Sequence, residues 1–151
     1  MIIKSFEIRN KLNKAIKENI FLIYGINEGL KDDIKKFIIS KTKDKEATDI
    51  ISLNEDEILK KREDFFNSVL IKSFFSNKKI LIINNTSEKF FEIISDLIKK
   101  KIQDVTIILL SGVLDKKSKI RNLCEKGKEI ITIPCYEDTI IDLEKISKRK
   151  L

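Results

Sequence analysis

Five short apolar runs divide the chain: IFLIYG at 20–25, ATDIIS at 47–52, KILIIN at 79–84, VTIILL at 105–110 and EIITIP at 129–134. Runs that are apolar on both faces suit a parallel sheet covered on both sides, so each predicts a buried strand. Between them the apolar positions change to a helical period. Leu30, Ile34, Phe37 and Ile38 form one stripe over 29–41, and Phe91, Ile94, Leu97 and Ile98 form another over 88–101. Ile120, Leu123 and Cys124 form a third over 116–126, with Asp115 placed to cap its start and Gly127 just past its end. Strand and helix in alternation predict a doubly wound α/β domain with a parallel five-stranded sheet and helices on both faces. The segment 6–18 predicts an outer helix packed through Ile8, Leu12 and Ile16. After Pro134 the stretch TIIDLEKISKRKL predicts one more helix.

The stretch 54–75 predicts a single helix, with Asn54 as its cap and Glu57 three residues on, as in a capping box. At about 100° per residue, Leu59, Phe66, Val69, Leu70 and Ser73 share one face. Phe74 falls at the rim of that face. Phe75 falls nearly opposite, with Ile71 one turn before it and Lys60, Asp64 and Ser68 as neighbours that need water. A large aromatic held out at a helix end is the kind of residue a partner pocket grips. The alternative is a helix that unwinds near Ser73 and folds both rings under the sheet. Helical geometry alone leaves both open.

With 151 residues, 42% of them apolar, the chain can bury one domain core. The net charge of +7 suits an acidic partner, nucleic acid included. The basic residues are nevertheless scattered among acids instead of gathered into an arm. Lys78, Lys79, Lys116, Lys117, Lys119 and Arg121 are the candidate patch for a basic nucleic-acid-binding module, whose affinity would fall steeply with salt. The absence of histidine excludes Ser-His and Cys-His nucleophile systems and removes the commonest zinc ligand. The two cysteines, Cys124 and Cys135, form neither a CxxC pair nor a disulfide framework, which points to a reduced, cytoplasmic setting. Cys124 lies on a helical stripe and reads as core. The N-terminus is charged too early for a signal peptide, and no apolar run approaches the roughly 18 residues of a membrane span. Neither a metal nor a cofactor is expected.

In a nucleotide-binding domain of this class the loop after the first strand cradles phosphate. A working loop reads GxxxxGK followed by Ser or Thr. Here the loop is YGINEGLKDD. Gly25 and Gly29 are present at the wrong spacing, Lys31 comes one residue late, and Asp32 would repel a phosphate. The third strand ends in Asn84 and Asn85, where acids would be needed for metal and water. A phospho-accepting receiver domain fails too: the positions of its acid pair, acceptor Asp and Lys hold Tyr24-Gly25, Asn84 and Pro134.

Three stretches resemble a known family, the delta subunit of the bacterial DNA polymerase III clamp loader. FLIYGINEGLKDDI is similar to that family's YxLYGxDEGLI opening, and SFFSNKKILIINN to its SLF and KKLIxI stretch. LLSGVLDKKSKIRNLCEKGKEIITIPCYED is similar to its LDKRSKLRKLFE and IPCYxD segments, and is the most specific of the three. The resemblance spans essentially the whole chain. It implies a degenerate, AAA+-like (P-loop-NTPase-like) domain over 1–135, with 136–151 opening a helical domain cut short here. It implies no catalysis by this chain and ATP use by other subunits. It implies as partners the beta sliding clamp, the gamma/tau and delta prime subunits, and DNA mainly through the assembled complex, with no membrane. The family grips the clamp with a Leu-Phe pair at a helix tip. The matching positions are Phe74 and Phe75, with Phe in place of Leu at 74, and Ile71 as a flanking contact. Delta prime would carry zinc-ligand cysteines and a Ser-Arg-Cys motif, and neither occurs here.

Overall fold

Each apolar run becomes a strand. In a computed structural model describing residues 2–4, 7, 11, 20–42, 48–70, 78–100, 102, 105–127 and 130–136, the elements run β1 (Ile20–Tyr24), α1 (Glu28–Thr42), β2 (Thr48–Asn54), α2 (Glu55–Lys60), α3 (Arg62–Leu70), β3 (Lys78–Thr86), a 3₁₀ turn (Glu88–Phe90), α4 (Phe91–Lys100), β4 (Val105–Ser111), α5 (Lys119–Lys126) and β5 (Ile130–Pro134). The five strands form one sheet in the order β2-β3-β4-β1-β5, with every pairing parallel. The expected helices over 6–18 and after Pro134 lie almost wholly outside the described residues.

Side-chain alternation along the strands supplies two cores. Leu22, Tyr24, Leu81, Ile83, Ile107 and Leu109 face one way, against Ile58, Phe65, Phe90, Ile94, Ile120 and Cys124 from α2, α3, the 3₁₀ turn, α4 and α5. Phe21, Ile23, Ile80, Ile82, Ile108 and Ile131 face the other way, against Ile34 and Ile38 of α1 and against Ile3. Ile3 N–H donates to the Thr132 carbonyl at 2.9 Å, so the N-terminal residues cover the β5 edge of the sheet. Among the described residues no helix is long and apolar enough to cross a membrane.

Two expectations change. The 54–75 helix breaks at Lys61, whose backbone leaves the helical region (φ −137°, ψ 59°) while its N–H still reaches the Ile58 carbonyl. The break resets the phase, so Ile58, Phe65 and Val69 are buried while Leu59 and Phe66 are only half-buried. Asn54 does sit at the cap position, but its side chain makes no capping bond. No capping box forms there, and the acid that matters is the next residue, Glu55.

Candidate functional site

Ligands of open α/β sheets bind beyond the carboxyl ends of the strands, where neighbouring connections leave toward opposite faces. Here that point lies between β1 and β4: β1 leads into α1 on one face, and β4 into α5 on the other. The crevice is bridged. Gly25 N–H donates to the Gly112 carbonyl at 3.0 Å, Cys135 N–H to the Tyr24 carbonyl at 2.6 Å, and Asn27 N–H to the Cys135 carbonyl at 3.2 Å. Gly25 has φ +130°, and a Cβ built there would stand 1.9 Å from the Cys135 carbonyl oxygen. Glycine is therefore required by close backbone approach within the protein itself. Asn27 caps α1, its Oδ1 accepting from Leu30 N–H at 3.0 Å. Gly29, the other glycine of this loop, has begun the helix and has only the Asn27 Oδ1 near its Cβ position.

Lys31 completes the bridge. It is buried, and its ammonium donates to Glu28 Oε1 at 2.7 Å and to the Ser111 carbonyl at the end of β4 at 2.9 Å. The lysine that arrives one residue late for phosphate chemistry thus ties α1 to β4. Asp32 turns outward to Lys36 and Lys35, which hold its carboxyl below the usual range.

On the other side of β1, a polar cluster joins the strand end to α5. Arg121 Nε donates to Glu125 Oε1 at 2.9 Å, and its Nη1 to the Leu114 carbonyl at 3.0 Å. Its guanidinium lies 5.3 Å from the centre of the Tyr24 ring. The Tyr24 hydroxyl donates to Glu125 Oε1 at 3.3 Å and lies 3.3 Å from the Tyr136 hydroxyl, the two rings meeting edge to face. Burial first, and the Tyr136 hydrogen bond second, raise the Tyr24 phenol above its ordinary value. Burial pushes the Cys124 thiol up to about 12.

Carboxylates organise the neighbouring loops. Glu55 is buried at the start of α2 and accepts from the Ser87 backbone N–H and, at 2.6 Å, from the Ser87 hydroxyl. Glu88 accepts from the Ser118 hydroxyl and, at 2.9 Å, from Lys119 N–H at the start of α5. Ser118 is the cap of that helix, its Oγ accepting from Arg121 N–H at 3.1 Å. Asp115, expected in that role, instead closes the preceding turn by accepting from Lys117 N–H at 2.8 Å. Glu55 and Glu88 lie 30 or more residues from their partners, so no local pattern announces those bonds.

The six basic residues fall into two groups. Lys116, Lys117, Lys119 and Arg121 stand at the carboxyl end of the sheet, and Arg121 is spent on Glu125 and Leu114. Lys78 and Lys79 open β3 at the opposite end, roughly 25 Å away along a nine-residue strand. Ile71, Phe74 and Phe75 lie outside the described residues, in the segment joining α3 to β3. Among the described residues no group of three His, Cys, Asp or Glu side chains could hold a metal.

A family model described as DNA polymerase III, delta subunit, matches residues 21–133. A search of the curated proteins finds no match.

Proposed function

The chain belongs to the DNA polymerase III delta subunit family, and from that membership we propose that it is a clamp-loader subunit that grips the beta sliding clamp through Phe74 and Phe75. The observation that carries this reading is the family match, whose span of 21–133 contains the segment between α3 and β3. The substitution of Phe for Leu at 74 keeps a bulky apolar filler for a hydrophobic pocket. Ile71 flanks the pair.

The mechanism is mechanical. The aromatic pair anchors one clamp protomer, and the domain then favours an interface geometry that the closed ring cannot adopt. Only a higher affinity for the open ring than for the closed one shifts the ring toward opening. The domain over 1–135 is AAA+-like with a degenerate nucleotide site. The Lys31 bridge and the Gly25–Cys135 contact support this by occupying the space where a phosphate cradle would be needed. ATP is turned over by other subunits, and gamma/tau, delta prime and DNA are met in the assembled loader. The separation of Lys78 and Lys79 from the α5 lysines disfavours one continuous nucleic-acid patch on this chain.

The test is titration of the chain against its cognate clamp, wild type beside Phe74→Ala/Phe75→Ala, with circular dichroism on both. Each truncation should weaken binding by about 2 kcal/mol, roughly thirtyfold, with the fold intact. A double variant that unfolds would return the rings to the core. A folded double variant that binds as tightly as wild type would remove the pair from the interface.

A further inference from the structure

A second crevice opens on the same rim, between the β3–α4 and β4–α5 connections. It is a cleft of about 930 Å³, and Phe91, Val113 and Leu114 give it an apolar wall. Val113 is 69% exposed, the most exposed of the large apolar side chains among the described residues. Four cations line the cleft: Arg62, Lys89, Lys117 and Lys119. Three carboxylates line it too, and each is already engaged. Glu88 caps α5, Glu92 pairs with Arg62 at 3.2 Å, and Asp115 closes its own turn. The ammonium groups of Lys89, Lys117 and Lys119 have no ion pair or hydrogen bond among the described residues. The loops that carry them are fixed from below, one by Glu55 on Ser87 and the other by Glu88 on Ser118.

We propose that this cleft is a docking site for a short acidic peptide segment of a partner protein, with an aliphatic side chain against Val113 and Leu114 and carboxylates on Lys89, Lys117 and Lys119. The volume is that of a compact-ligand cleft, enough for a few residues and too small for a duplex. The charge is complementary to carboxylates, because the resident acids are committed to backbone and arginine partners. A nucleic-acid strand fits less well. Phe91 is the one aromatic side chain among the lining residues and is half-buried, so successive bases have no series of rings on which to stack. The site shares no residue with the Phe74–Phe75 segment, and it lies beyond the carboxyl end of β3.

The experiment is fluorescence anisotropy of the full 151-residue chain with a labelled Asp-Leu-Asp-Leu-Asp peptide. An Asn-Leu-Asn-Leu-Asn peptide and an oligothymidylate of equal length serve as comparisons. Expected are saturable binding tighter than about 1 mM, a loss of at least about tenfold for the neutral peptide, and a similar loss in Lys89→Glu/Lys117→Glu/Lys119→Glu. Val113→Asp, which leaves the lysines and the capping residues unsubstituted, should lose binding to the same degree with unchanged circular dichroism. Lys78→Glu/Lys79→Glu should bind as wild type does. The proposal is overturned by equal binding of the neutral peptide, by undiminished binding in either cleft variant, or by no binding at about 1 mM. Tighter binding of the oligothymidylate, lost in the same variants, would overturn it in favour of a nucleic-acid surface.

Discussion

The two crevices on the carboxyl rim of the sheet share a strand, β4, yet one is bridged and the other is open. Between β1 and β4, a lysine and a glycine are used up on the protein's own carbonyls: Lys31 on Ser111, and Gly25 on Gly112 and Cys135. Between β3 and β4, the carboxylates are used up instead, on backbone N–H groups and on Arg62, and the lysines are left over. What a rim leaves unengaged thus depends less on which charged residues are present than on which of them the protein has already bonded.

Gly25→Ala should have the largest effect on this contrast. The new Cβ would enter the Cys135 carbonyl at a backbone conformation disfavoured for any residue with a side chain. A loss of at least about 3 kcal/mol is expected in urea unfolding. A smaller loss would mean that the bridged crevice can open easily.

Alkali tests the same packing without mutation. The Cys124 thiol rises from 9.0 to about 12 on folding. Its contribution is therefore complete below pH 9 and declines as the pH climbs toward 12, because the unfolded chain releases the proton first. Tyr24, also raised, acts in the same sense. Unfolding midpoints measured from pH 8 to about pH 11 should fall by the equivalent of on the order of 2 kcal/mol, and by less in Cys124→Ala.

Lys31→Ala should cost about 1–2 kcal/mol, since it leaves the Ser111 carbonyl without its ammonium partner. It should not create ATP binding, which calorimetry would check. Detectable nucleotide affinity in that variant would show that the lysine alone had closed the crevice. The smallest effect belongs to Thr132→Val. The Thr132 hydroxyl is buried with no hydrogen-bond partner among the described residues, so its removal should stabilise the fold by about 1 kcal/mol in the same unfolding assay.

The fold was largely legible because its strands are continuous apolar runs, a signal that depends on neither loops nor partners. Phase within the helices was less secure. A single non-helical residue, Lys61, moved burial from Phe66 to Phe65, and nothing in KKRED marks the break. The departure of Gly25, Gly29 and Lys31 from phosphate-loop spacing could be read from the sequence. The use found for Lys31 could not, because its acceptor is a carbonyl 80 residues away. Glu55 and Glu88 were hidden for the same reason. A carboxylate's choice of backbone partner across a loop leaves no periodicity in the sequence. The segment that carries the most specific resemblance in the sequence, around LDKKSKIRNL and IPCYED, supplies Leu114, Asp115, Ser118, Arg121 and Tyr136, whose bonds shape this rim.

The chain has no tryptophan and only two tyrosines. Both sit in one cluster, their ring centres 6.1 Å apart, with a carboxylate hydrogen-bonded to one of them. Tyrosine emission from this protein is therefore a local optical signal of a single junction, where the exit from β5 meets β1 and α5. A carboxylate acceptor quenches an excited phenol, so any event that pulls Tyr136 or Glu125 away should brighten the protein, and no label is needed to see it.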